Sequence, residues 1–171
     1  ALLPELLLLA LIAIVLILDL VFRDKDTRFL GWLSAGGLGL IMLVSFLFCI
    51  PSGDPQLIWG GMLRFDQAGF VFRMIFLFGA LLTSLFAVAD RNLGGRGEVY
   101  ILMLVSSLGM SLMASSVDLV LLYLAIEMTS IPLYILAGFY IWDQRSVESG
   151  VKYLLFGAMT SAVMLFAFSL L

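Results

Sequence analysis

Six apolar runs, separated by short segments that hold much of the charge, leave this chain few ways to fold. They cover residues 4–22, 29–50, 68–89, 98–115, 119–141 and 149–171, and a helix needs about 20 such residues to cross the hydrocarbon of a bilayer. A spanning segment must satisfy its own backbone hydrogen bonds, which a helix does and an isolated strand does not. The expected fold is therefore all-α, an integral membrane bundle of six transmembrane helices forming one domain over residues 1–171. Composition agrees, with 63% hydrophobic residues against 12% charged. The first run is followed rather than preceded by basic residues, the reverse of a secretory signal, so it is expected to stay as a helix. The last run reaches Leu171 without a polar tail, which reads as part of a larger fold.

The same residues exclude several chemistries. One cysteine, Cys49, and no histidine provide no ligand set for zinc, haem or an iron–sulfur cluster and no Ser–His or Cys–His pair. No cofactor and no redox step is expected on this chain. Gly94, Gly95 and Gly97 lie in a linker and form neither a phosphate loop nor a dinucleotide turn, so neither nucleotide nor nucleic acid is an expected ligand.

Charge placement sets an orientation. Arg23, Lys25, Arg28, Arg91, Arg96 and Arg145 follow runs one, three and five, whereas the remaining loops carry only Arg64. Lys and Arg are retained on the cytoplasmic side, so the N-terminus is expected on the outer side, with Leu171 returning there.

Local signals are fewer. Gln56 to Phe65, QLIWGGMLRF, reads as a small β-hairpin around a two-residue Gly60–Gly61 turn, or else as an irregular loop with Trp59 at headgroup level. Gly31, Ala35 and Gly39 on helix two, and Ser107, Ser111 and Ser115 on helix four, recur every fourth residue. They read as packing stripes that admit a neighbouring backbone.

Ionisable residues inside hydrocarbon cost about 2.5–3.5 kcal/mol each, so they mark function by default. Glu5, Asp19 and Arg73 lie near helix ends and are expected to reach the interface or form a local ion pair; Asp118 is expected to cap helix five. Glu127, in LYLAIEMTSIPLYIL, is different: it lies too deep for its carboxylate to reach water, and reads as a proton- or ion-transfer group. The alternative is a glutamic acid hydrogen-bonded to Ser107, Ser111, Thr129 or Ser130. Pro132 frees the carbonyl of Met128 nearby. Lys152, placed at the start of the last helix, reads either as the partner of Glu148 four residues before it or as a proton relay.

Three segments carry a resemblance: LLPE, then GEVYILMLVSSLGMSLMASSVDLVLLYLAIEMTSIPLYILAGFY, then RSVESGVKYLLFGAMTSAVMLF. Together they resemble the N-type antiporter-like membrane subunit of respiratory complex I, over roughly the first third of that subunit. The likeness implies proton translocation coupled to quinone reduction in partner subunits, with Glu127 matching the helix-five glutamate of the proton channel and Lys152 the lysine opening helix six. It also implies NADH, FMN, iron–sulfur clusters and a quinone held by other subunits, and partners among the complex I membrane subunits, including neighbouring antiporter-like ones, within the lipid bilayer. The expected location is the bacterial inner membrane, the alternatives being mitochondrial inner or thylakoid membrane. A subunit of a multi-subunit cation/proton antiporter and a structural membrane scaffold are the competing readings.

Overall fold

The computed structural model describes residues 2–22, 28–51, 56–90 and 93–170; Arg23, Lys25 and Arg91, part of the orientation argument, lie outside them. Six helices are long and apolar enough to cross a membrane: α1 (Leu3–Val21), α2 (Arg28–Phe48), α3 (Gln67–Ala89), α4 (Gly97–Ser115), α5 (Leu119–Ala137) and α6 (Gln144–Phe168). Between α2 and α3 stands an antiparallel hairpin, β1 (Gln56–Ile58) with β2 (Leu63–Phe65). The fold is the expected all-α membrane bundle.

Helices α1 to α4 form a packed block. Leu8, Leu11 and Val15 of α1 meet Leu30, Leu38 and Ile41 of α2, Leu77 and Ala80 of α3, and Tyr100, Leu104 and Leu108 of α4 in one buried cluster. Small residues allow that approach. A Cβ on Gly31 would strike Val88 and the Tyr100 ring, and one on Gly39 would touch Leu81 at 3.4 Å, so the α2 stripe faces α3 and α4, while Gly37 on another face meets Leu11 of α1. The Tyr100 hydroxyl, fully buried, donates to the Gly94 carbonyl at 3.2 Å, tying α4 to the linker before it.

Helices α5 and α6 are an antiparallel pair leaning on that block through α4. Their buried residues are few: Ala125 and Pro132 on α5, and Gly150 on α6. Thr129 and Ala125 pack against Gly109 of α4, where a Cβ would meet the Thr129 backbone N at 2.7 Å, and Ser106 donates to the Thr129 carbonyl at 3.1 Å.

The α5–α6 turn falls earlier than the apolar runs imply. Helix α5 ends at Ala137 rather than Ile141, and α6 begins at Gln144 rather than Ser149. Asp143 caps α6 by accepting from the Arg145 N–H at 3.0 Å, and the Ser146 hydroxyl ties Tyr140 N to the Ala137 carbonyl. Hydropathy does not register these caps, because Phe139, Tyr140 and Ile141 continue the apolar pattern through the turn.

The hairpin forms, with a different turn. Ile58 pairs with Leu63, so the loop has four residues, and positive φ occurs at Trp59 (56°), Gly60 (66°) and Gly61 (94°). Two adjacent glycines accommodate most of that left-handed path. Its stability comes from within the chain: the Val117 N–H donates to the Met62 carbonyl at 2.9 Å, and Leu63 bridges Ser116. The hairpin thus docks on the α4–α5 turn. The next helix is capped by Asp118, which accepts from the Leu121 N–H at 3.0 Å.

Candidate functional site

Two polar groups interrupt the apolar interior, and they differ in kind. The first joins three helices near the hairpin end. Arg73, about 9 Å into α3 at the helical rise of 1.5 Å per residue, pairs with Glu5 of α1 at 2.6 Å, their side chains only 4% and 6% exposed. Ser111 of α4 donates to the same Glu5 oxygen at 3.1 Å and accepts from Arg73 Nε at 3.2 Å, and Ser115 accepts from Arg73 Nη2 at 2.9 Å. Glu5 and Arg73 therefore form an ion pair and do not reach for the interface. The serine stripe, read from sequence as packing alone, supplies hydroxyls to it. Sequence position near two helix ends concealed this cluster; the signal available was that Glu5, Arg73 and the serines share one end of antiparallel neighbours.

The second group is Glu127. It lies about 12 Å from the start of α5 at Leu119 and about 15 Å from its end at Ala137, nearer the α5–α6 turn than the longer helix expected from sequence would place it. Its Oε1 is buried and has no hydrogen-bond partner among the described residues, whereas the hydroxyls offered as alternatives donate elsewhere. Ser107 donates to the Leu104 carbonyl, Ser111 to Glu5, Thr129 to the Ala125 carbonyl and Ser130 to the Ile126 carbonyl. Helix geometry explains this. At about 100° per residue, Ala125, Thr129 and Pro132 occupy the side of α5 turned to α4, and Glu127 lies roughly opposite, with Tyr134 and Gly138. Glu127 thus faces away from the serine stripe and towards the α6 side. Pro132 leaves the Met128 carbonyl without its usual helical donor one residue away.

Lys152 does not open α6. It lies eight residues, about 12 Å, beyond Gln144, and pairs with Glu148 one turn earlier, both side chains more than half exposed. The structure does not bring Lys152 and Glu127 together. The facing contact of Gly138 with Gly150 fixes the register of the two helices and puts Lys152 about 13 Å along the axis from Glu127. Cys49 is buried and unpaired. Near the same end as the α5–α6 turn, Arg96 stacks over the Phe139 and Tyr140 rings, 5.2 and 5.8 Å from their centroids, holding that turn against the start of α4.

Outside the spans, Asp66 caps α3 by accepting from the Gly69 N–H at 2.8 Å and pairs with Arg64. The Gly69 N–H, and secondarily Arg64, hold its carboxyl below the ordinary aspartate range, outweighing the opposing effect of burial.

Comparison with known proteins shows what the chain is similar to. Residues 116–171 match the family described as NADH:quinone oxidoreductase/Mrp antiporter, transmembrane. NADH-quinone oxidoreductase subunit N 1 of Roseiflexus castenholzii is 36% identical over 203 residues, an alignment covering 98% of this chain and 37% of the relative. Subunit N of Rhodospirillum rubrum is 37% identical over 171 residues, covering 98% and 35%. A chain in the structure of respiratory complex I from Thermus thermophilus with bound aureothin superposes with a TM-score of 0.78 at 30% identity, covering 95% of this chain and 35% of that one. The chain spans about a third of the length of these relatives.

Proposed function

We propose that this chain, a member of the antiporter-like membrane subunits by its likeness to the N-terminal part of subunit N, belongs to the proton-translocating machinery of an NADH:quinone oxidoreductase. Glu127 takes up and releases the proton, and Lys152, ion-paired with Glu148 on the exposed face of α6, is a proton relay at that surface and not in the α5–α6 seam. Partner subunits would hold the NADH, FMN, iron–sulfur clusters and quinone and would supply the redox chemistry; the part assigned to this chain is to move a proton. Neighbouring antiporter-like subunits and lipid cover its exposed faces. The end bearing Arg96 and Arg145 is cytoplasmic, in a bacterial inner membrane; a cysteine replacing Thr27 is then shielded from an outside-only reagent, and its labelling would reverse the orientation.

The observation that carries this reading is that Glu127, deep in α5, has a buried Oε1 without a hydrogen bond and no ion-pair partner among the described residues, whereas Glu5, whose Oε2 is likewise unbonded, is paired through Oε1 with Arg73. A buried carboxyl kept for structure is expected to be paired with a base, as Glu5 is with Arg73; an intramembrane carboxyl without one marks an ion or proton path by default. In the assembled complex, Glu127→Gln keeps the shape and removes the titrating group. It should abolish or strongly reduce coupled proton pumping and quinone reduction while assembly is retained, and Glu127→Asp should keep part of the activity. Normal pumping stoichiometry in fully assembled Glu127→Gln enzyme would sink the assignment. The family description also names Mrp antiporters, so the second reading is a cation/proton antiporter subunit, favoured if the full-length protein purifies without flavin and iron–sulfur subunits.

A further inference from the structure

The seam between α5 and α6 contains a hydroxyl that the scheme above does not use. Three contacts set its register. A Cβ on Gly150 would come 2.7 Å from the Gly138 Cα, the Tyr134 ring meets Tyr153 edge-on with centroids 4.7 Å apart, and a Cβ on Gly157 would strike the Tyr134 hydroxyl. Only glycine at 157 leaves room for that oxygen. The ring is clamped from the side by Tyr153, and its hydroxyl is delivered to the α6 backbone.

Side chains on a helix lean towards its N-terminus, and for α5 that direction runs from Tyr134 towards Glu127. The two residues are seven apart, within about 20° of one another around the axis. Carrying the Gly138–Gly150 register onward, Ser161 of α6 stands opposite Glu127. It lies on the same α6 stripe as Gly150 and Gly157, the side turned to α5. The Tyr134 hydroxyl is then about one turn, roughly 6 Å, from the level of Glu127, with Ser161 facing the gap. Alongside Tyr134 and extending towards the α5–α6 turn lies an open, largely apolar groove of about 320 Å³ lined by Ile131, Tyr134, Gly138, Val147, Gly150 and Leu154 among others. Tyr134 is the one hydroxyl-bearing or charged side chain among the described residues that line it. Lys152 is about 200° around α6 from Gly150, so its side chain leaves the helix away from this seam.

We propose that Tyr134 is a proton-relay residue, through which Glu127 exchanges protons with the end of the bundle carrying the α5–α6 turn. A proton arriving from that side bonds to the Tyr134 oxygen as the hydroxyl proton passes on, by way of Ser161 or a water, to the Glu127 carboxylate. Tyrosine ends neutral and the O–H then rotates back, so no electrons move and no co-reactant is needed. Tyr153 and Gly157 position the hydroxyl.

This inference rests on the assignment of Glu127, and the experiment separates the two. In assembled complex carrying full-length subunit, Tyr134→Phe retains the ring and its contact with Tyr153. Pumping and coupled quinone reduction per assembled complex should fall about ten-fold, less than at Glu127 because water can take the place of the lost oxygen, and the solvent deuterium isotope effect should rise. Gly157→Ala, which displaces the hydroxyl without removing it, should reproduce the defect and add little to Tyr134→Phe. An unchanged rate per complex and unchanged isotope effect in Tyr134→Phe overturn the relay, as does a loss confined to assembly yield. If Glu127→Gln is inactive in that case, the Glu127 assignment survives without the relay. If Glu127→Gln pumps normally, both fall.

Discussion

The Glu5–Arg73 cluster and the Glu127 site both place ionisable groups inside an apolar bundle, yet only the first supplies its acid with a base. In the α1–α4 block an acid, a base and two hydroxyls drawn from three helices bond to one another, leaving Glu5 Oε2 and Arg73 Nη1 unbonded among the described residues. On α5 a lone carboxyl keeps a buried oxygen unanswered. An ion pair bonded from three helices fixes geometry, whereas Glu127 has no base among the described residues to hold it. Packing follows the same division, with a dense common core in the block and only three buried residues on the α5–α6 pair.

That contrast can be broken most directly at Arg73. Arg73→Ala strands Glu5 in the interior and should destabilise the assembled subunit by about 3–5 kcal/mol, read as a large fall in its thermal unfolding midpoint in detergent. Glu5→Leu combined with Arg73→Met should recover most of that loss, and a double variant as unstable as the single would show that the pair does more than neutralise itself. Glu127→Gln, by the same assay, should leave the midpoint unchanged within about 0.5 kcal/mol.

Next in size is Ala35→Phe, which forces a ring into the α2 face that packs against the core. Overpacking there should cost about 1–3 kcal/mol, with reduced incorporation of the subunit into the complex. A wild-type yield would place that stripe outside the helix contacts.

Asp66→Ala removes the α3 cap and should cost about 1 kcal/mol. Since the folded-state pKa of Asp66 is lowered, its contribution is present above the ordinary aspartate pKa and is lost as pH falls through and below that range. The variant should therefore differ most from wild type near neutrality and converge with it in acid, as followed by unfolding midpoint against pH. The smallest effect belongs to the exposed Glu148–Lys152 pair. Glu148→Gln should change stability by less than about 0.5 kcal/mol, and a larger, salt-insensitive change would indicate that the pair is buried in the assembly.

Much of this architecture is legible from hydropathy, because a span requires a length and an apolar average that local detail hardly alters. The hairpin was legible from Gly60 and Gly61, but its four-residue loop depends on Trp59 entering the left-handed region, which no glycine announces. The end of α5 was missed because Asp143 and Ser146 terminate the apolar run by hydrogen bonds that averages ignore. Glu127 stood out by depth alone. Glu5 and Arg73 did not, since each lies near a helix end and their significance is a relation between segments far apart in sequence. The orientation of Tyr134 and the position of Gly157 opposite it likewise required the helix register.

The hairpin's hydrogen bonds to the α4–α5 turn also bear on biogenesis. A chain synthesised from its N-terminus presents the edge of β2 well before Val117 and Ser116 exist to pair with it. Synthesis of α3 and α4 must therefore precede docking of that hairpin, which Ser116 and Val117 of the α4–α5 turn complete. Until Ser116 and Val117 have been made, the extramembrane ribbon retains the unpaired edge that they cover in the finished fold.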